Sequence, residues 1–213
     1  MADDRDPAEG LSESLDAPIE EIEARFDEWA DRYDADVESW GYRAPAMVAA
    51  RLIEGGAPSG VVLDAGCGTG LSGSALHDVG VTAVVGIDLS SVSIESARSR
   101  GVYRELRQVD LNEPLPFDDD HFAAAISVGV LGYLDDPNAG LDELVRVVRS
   151  GGRIVFTQRT DVWEGADFDG LVHRLESDAG CRADVSEPLD YLPGNPEYAE
   201  NIRMIITALD LPA

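Results

Sequence analysis

Residues 61 to 70 read Val61-Val62-Leu63-Asp64-Ala65-Gly66-Cys67-Gly68-Thr69-Gly70, a short apolar run that ends on an acid and breaks into alternate glycines. β-Branched residues suit a buried strand, and residues without a Cβ let the chain turn tightly and approach a ligand closely. A helix follows through His77. Its first N–H groups have no partner within the helix and face the turn, an arrangement that suits a carboxylate or phosphate.

The same alternation continues downstream. Val84 to Ile87 reads as a second strand, a Ser90-Ser91 cap opens a helix to about Arg100, and Tyr103 to Val109 and Phe122 to Val130 read as the third and fourth strands. Leu141, Leu144, Val145 and Val148 form a helical stripe that stops at Gly151-Gly152. A strand at Arg153 to Thr157, a helix at Asp167 to Ala179 and a last strand at Asn201 to Leu209 complete the order. Strands alternating with helices predict a mostly parallel α/β sheet covered on both faces, with ligands bound beyond the carboxyl ends of the strands. Upstream, Ile19, Ile22, Phe26, Trp29, Ala30 and Tyr33 recur at helical spacing, with Asp16 as cap and Pro18 in the first turn; a second helix runs from about Tyr42 to Gly55-Gly56. The expected organisation is an acidic mobile tail at 1–17, a helical lid at 18–57 and the α/β domain at 58–213.

Three acids stand at the ends of successive strands: Asp64, Asp88 and Asp110. In the second position a carboxylate can accept hydrogen bonds from both hydroxyls of a ribose, although Asp88 could instead cap the helix at Ser91. Asp110 could accept from an exocyclic amine or serve as a turn residue before Pro114. Together the three fit a nucleoside lying across the sheet edge. A literal G-x-G-x-x-G also occurs at Gly68-Thr69-Gly70-Leu71-Ser72-Gly73, but it begins too far beyond the strand for a dinucleotide fingerprint. Asp64 ahead of it would repel a pyrophosphate and attract an ammonium.

The 213 residues include 42 acids against 16 basic residues, every one of them arginine, for a net charge of −26. With 44% apolar residues the chain can form one core, which excludes a disordered polyelectrolyte. Cys67 and Cys181 cannot build a disulfide scaffold, and no charged-then-apolar leader opens the sequence, so a cytoplasmic protein is expected. Apolar runs such as Phe122 to Leu131 fall short of the roughly 20 residues that span a bilayer, so no membrane association is expected. The acid excess disfavours nucleic acid at ordinary salt. Dense carboxylates are read as adaptation to concentrated salt, since a coding bias replacing lysine by arginine leaves the acid surplus unaccounted for.

The blocks VVLDAGCGTG, VVGIDLS around Asp88, RQVDLNEPLPF around Asp110 and AAAISVGVLGYL resemble the successive motifs of class I S-adenosylmethionine-dependent methyltransferases. FDEWADRYDADVESWGYRAP ahead of the core and VFTQRTDVWE after it are similar to the Williams–Beuren syndrome region methyltransferase-like group. The resemblance implies a Rossmann-like, mostly parallel seven-stranded sheet with helices on both faces and an N-terminal helical lid. It implies S-adenosylmethionine as cofactor and S-adenosylhomocysteine as product. Asp64, Gly66 and Gly68 would hold the methionine ammonium and carboxylate, with Ala65, Cys67 and Gly70 completing the loop. Asp88 with Leu89 would meet the ribose, and Asp110 with the Leu111 amide the adenine. Ser127 and Val128 would line the cofactor, and Tyr33 with Trp40, Tyr42 and Arg43 would fold over its methionine end. Two scaffold positions depart from the family: Phe122-Ala123 stands where Phe-Asp is usual, and Ser150-Gly151-Gly152 where Pro-Gly-Gly is usual.

Methyl transfer from a sulfonium is an in-line displacement in which the protein mainly aligns the acceptor, so no catalytic residue is assigned. Cys67 is read as packing, and His77 and His121 as structural or solvated. His173, on the late helix with Arg174, is a weak candidate for touching substrate. Asp118-Asp119-Asp120 is read as a solvated turn, with no metal expected. Tyr133, Arg159 and Trp163 are the acceptor-site candidates, and Trp29 packs its helix onto the body. The expected partner is a small-molecule acceptor; oligomeric state is open. A non-catalytic S-adenosylmethionine-binding regulator and a nicotinamide-dependent oxidoreductase are the alternatives.

Overall fold

The computed structural model describes residues 17–213; the expected Asp16 cap and nearly all of the expected tail lie outside the described residues. The first strand, β1 (Val62–Ala65), is buried at every position and lies parallel between β2 (Val84–Asp88) and β4 (Phe122–Ser127). Side chains on it alternate between the two faces. Val62 joins Val48, Ala49, Leu52 and Leu76 on one face, and Leu63 joins Leu141, Leu144, Phe168 and Leu171 on the other.

Two helices precede this strand, α1 (Ile19–Ser39) and α2 (Ala44–Ile53). The glycine loop leads into α3 (Leu71–Asp78), β2 into α4 (Ser91–Ser99), and β3 (Glu105–Gln108) forms one edge. After β4 a 3-10 turn at Leu131–Tyr133 leads to α5 (Pro137–Val147), β5 (Val148–Arg159), α6 (Thr160–Gly165) and α7 (Phe168–Asp178). The chain closes with β6 (Arg182–Val185), β7 (Leu189–Asp190) and β8 (Arg203–Asp210). The sheet order is β3-β2-β1-β4-β5-β8-β6, with β7 paired to β8. β1 to β5 are parallel and β8 is antiparallel to β5. Seven strands form the expected path; the two-residue β7 makes an eighth.

Two local readings are corrected. The α5 stripe ends at Val147, not at Gly151-Gly152, because Val148 already pairs with Phe122 across a register shift. The tight glycine is Gly152, where a Cβ would stand 2.5 Å from Val148 and 2.9 Å from the Ala123 oxygen. The second helix, expected in the lid, lies in the body instead. Val48 and Ala49 are fully buried and pack with Val62, Val84, Ala124 and Val155 beneath the sheet.

α1 rides over the carboxyl ends of the strands, joined there only by the start of α2 at Pro45 among the described helices that precede β1. Trp29, 1% exposed, and Val37 pack against Leu192 and Tyr198 of the segment before β8. Gly194 lets the two segments touch: its N–H donates to the Trp40 oxygen at 2.9 Å, and a Cβ there would meet the Trp40 Cα at 2.9 Å.

Candidate active site

The strand order reverses between β1 and β4, so the loops after them splay apart and leave a cleft at the carboxyl ends. That cleft encloses about 1010 Å³ with its open mouth included. Its floor is the glycine loop. Gly66 and Gly68 have φ of +79° and +51°, in the left-handed region that disfavours side chains. Both Gly66 and Cys67 donate their N–H to the Ile87 oxygen, at 2.8 and 2.9 Å, which bends the chain at the strand end. A Cβ on Gly66 would strike Val130 at 2.2 Å, whereas one on Gly68 would meet nothing within 4 Å. The bare Gly68 thus presents backbone to the open cleft.

Asp88 stands at the cleft wall with its carboxylate oriented by two amides: Gly68 N–H donates to Oδ2 at 2.7 Å and Ser90 N–H to Oδ1 at 2.9 Å. Burial raises its proton affinity, and these two donors oppose that rise. Asp110 lies further along the wall; its Oδ1 accepts from the Asn112 N–H and side-chain amide at 2.9 and 3.1 Å. Leu89, Leu111 and Val128 also line the cleft, as do Tyr33, Tyr42 and Tyr133. Burial raises all three tyrosine hydroxyls, which keeps them protonated.

Asp64 departs from its expected role at the ligand. It is fully buried beneath the loop, outside the cleft lining, and its Oδ2 accepts from Ser72 Oγ at 2.6 Å and Tyr103 OH at 2.7 Å. Its Oδ1 has no partner among the described residues, and burial pushes the carboxyl up to about 6. The Tyr103 ring fits only because two glycines flank it. A Cβ on Gly73 would lie 2.2 Å from the ring and one on Gly86 2.8 Å. The last glycine of the apparent G-x-G-x-x-G therefore serves aromatic packing.

Other expected site residues also fall away from the cleft. Ala65, Gly70 and Ser127 are buried and do not line it. Trp40 packs on Trp29 with ring centroids 5.9 Å apart, and Arg43 is exposed. Trp163 lies in the core, stacked on Phe168 with its Nε1–H donated to Asp169 at 3.0 Å. Arg159 lines a smaller compartment beside Tyr133. His77, His121 and His173 are exposed and line none of these spaces. Asp119 pairs with Arg146 at 2.8 Å, and Asp120 accepts from the Ser150 N–H at 3.2 Å.

The lid helix α1 is anchored by side chains that the motifs do not single out. Ile19, Ile22 and Phe26 wall the cleft, and two acids about two helical turns apart hold the helix down. Asp27 accepts from Ser90 Oγ, and Asp34 accepts from Thr69 Oγ1 at 2.6 Å and pairs with Arg100. Arg100 Nε also donates to the Thr69 oxygen at 2.6 Å. Spacing alone marks Asp27 and Asp34 as one face of a helix among many acids, so no sequence signal separated them from solvent-facing carboxylates.

Residues 63–156 match a family described as a methyltransferase domain. The human methyltransferase-like protein 27 is 35% identical over 174 residues, covering 78% of this chain and 71% of that protein. The demethylmenaquinone methyltransferase of Clavibacter sepedonicus is 38% identical over 199 residues, covering 81% and 76%. The methyltransferase solved in complex with the Trm112 methyltransferase activator of Haloferax volcanii shares the fold, with a TM-score of 0.70 at 21% identity over 90% of this chain and 98% of that one. With the reversal-point cleft, the bare glycine floor and the strand-end carboxylates, these relationships show that the chain belongs to the class I S-adenosylmethionine-dependent methyltransferases.

Proposed function

We propose that this methyltransferase acts on a small-molecule acceptor, with the cofactor across the glycine loop and the acceptor on the Tyr133 side of the cleft. The carrying observation is the pairing of Gly68, open and in the left-handed region, with Asp88, whose carboxylate is already set by the Gly68 and Ser90 amides. These residues fit S-adenosylmethionine: Gly68 would admit its close approach to the backbone, Asp88 would accept from its ribose, and Asp110 with Leu111 would border its adenine. When bound, the cofactor would supply an electrophilic sulfonium methyl for an acceptor lone pair.

The chain's part is alignment and exclusion of water. Held reactants gain an effective concentration worth up to about 7–11 kcal/mol. Tyr33, Tyr42 and Tyr133 line the space with neutral hydroxyls, which orient an acceptor without repelling it. α1 acts as the lid, with α2 part of the body. We read the acid excess as suited to a cytoplasm rich in salt, where screening removes its bearing on the choice of acceptor. Among the described residues no helix is long and apolar enough to cross a membrane.

Calorimetric titration with S-adenosylhomocysteine and with NADH, followed by labelled-methyl turnover against a metabolite library, tests the reading. Binding of S-adenosylhomocysteine and methylation of a low-molecular-mass compound is the expected outcome. Methylation of RNA alone would overturn the acceptor assignment, and cofactor binding without any turnover would favour a regulator.

A further inference from the structure

Past Gly129 and Tyr133 the cleft adjoins two narrower compartments. The first, about 370 Å³ with its mouth, lies among Phe26, Trp29, Tyr33, Tyr42, Tyr133 and Tyr191. The second, about 310 Å³ with its mouth, has Gln158 and Arg159 on its lining together with Tyr133 and Tyr191. Aromatic walls thus lead to a polar end.

Gln158, 4% exposed, stands near the carboxyl end of β5. Its Oε1 accepts the Arg159 N–H at 2.9 Å, which fixes the amide so that Nε2 is the donor left over. That Nε2 has no partner among the described residues. A buried donor left unmet keeps its desolvation cost without a partner, so an oxygen belongs there. Arg159, 7% exposed, brings the one formal charge on the lining of either compartment among the described residues. Asp161 at 2.5 Å and the Tyr198 ring at 5.1 Å hold its guanidinium in place. Neither lining includes an Asp, Glu or His among the described residues, and the one carboxylate at its edge, Asp161, is already paired with Arg159, so an entering acid meets the Gln158 donor and not an unpaired carboxylate. Burial keeps the Tyr133 and Tyr191 hydroxyls protonated, as donors.

We propose that the methyl acceptor is a planar carboxylate, an aromatic or conjugated acid whose carboxylate oxygen takes the Gln158 Nε2–H beside Arg159 while its flat body lies against Tyr133 and Tyr191. The proposal rests on the methyl-transfer reading of the cleft. The net charge of −26 opposes such a ligand in dilute buffer. At about 1 M salt the Debye length is about 3 Å, and only the local chemistry remains.

The test is calorimetry on the full chain saturated with S-adenosylhomocysteine in molar KCl, titrated with 4-hydroxybenzoate, 4-hydroxybenzylamine and cyclohexanecarboxylate. The aromatic acid should bind at least about tenfold more tightly than either comparison compound, a difference of about 1.4 kcal/mol. Gln158→Leu and Gln158→Glu should each weaken the acid by a similar factor and leave S-adenosylhomocysteine affinity unchanged. Equal binding of the amine, no binding of the acid, or an acid affinity indifferent to both substitutions overturns the proposal. If a variant loses S-adenosylhomocysteine as well, the wild-type preference for acid over amine decides. Failure of the wild-type chain to bind S-adenosylhomocysteine would instead strike the methyl-transfer reading itself.

Discussion

Asp34 on α1 accepts the hydroxyl hydrogen bond of Thr69, in the glycine loop, at 2.6 Å, and the same carboxylate pairs with Arg100 at the end of α4. One side chain therefore ties the lid to the floor of the cleft. Asp34 is 46% exposed, so its ion pair is screened and the hydroxyl bond carries most of the effect, about 1 kcal/mol in all. Asp34→Ala should raise the dissociation rate of S-adenosylhomocysteine about fivefold, as read by stopped-flow fluorescence, with little change in melting temperature. An unchanged rate would mean that α1 does not gate the cleft.

Asp88→Ala should weaken S-adenosylhomocysteine binding by about 1–3 kcal/mol, because a ribose hydroxyl would lose its acceptor. Removing the carboxylate also frees the Gly68 and Ser90 amides that it orders. Calorimetry reads the affinity, and a value equal to wild type would remove Asp88 from the site.

Gly68 and Gly73 should separate binding from stability. Gly68→Ala adds a methyl into open space at positive φ, so cofactor affinity should fall with only about 1 kcal/mol of backbone strain. Gly73→Ala drives a Cβ into the Tyr103 ring, which should cost about 1–3 kcal/mol and lower the melting temperature by about 2–10 °C. Parallel calorimetry and thermal melts distinguish the two; a stable Gly73→Ala would show that the ring can move aside.

Asp64 should make the native state more stable in mild acid than the other carboxylates would suggest. Its folded value of about 6 lies above the ordinary 3.8, so the native state holds the proton more tightly than the unfolded chain. The stabilisation is complete below the unfolded value and is lost as pH rises through the folded one, about 3 kcal/mol over that window. Asp64→Asn should remove this loss, gaining on wild type between pH 4 and 7 in denaturant titrations. Parallel pH profiles would contradict the assignment.

The acid surplus predicts a salt-dependent fold. Self-repulsion among carboxylates should fall as KCl rises toward molar concentration, so the melting temperature should climb steadily. Full stability in dilute buffer would sink that reading.

The fold was legible where pattern and burial coincide. β1, β2 and β4 are apolar runs buried on both faces, and Gly66 and Gly68 take the positive φ that alternate glycines in a turn suggest. β6 escaped because Arg182–Val185 is an edge strand, mostly exposed, that needs no apolar run. Trp163 and Arg159 looked alike as residues near the end of β5, yet one turns into the core and the other lines a compartment, a choice of face that short-range spacing does not encode. Gln158 passed unnoticed for a related reason: an amide at a strand end has no motif, and only its buried, half-used hydrogen bonding distinguishes it.

The antiparallel course of β8 has a practical bearing. Met204 pairs with Arg159 at the cleft end of β5, whereas Asp210 pairs with Arg153 at its start, and the Pro212 oxygen accepts from the Gly151 N–H on that far edge at 2.9 Å. The polypeptide leaves the sheet on the side opposite its chemistry. An attachment made at the Asp210 end of β8 would hold the molecule with its cleft turned outward, free to exchange cofactor and acceptor with the surrounding solution.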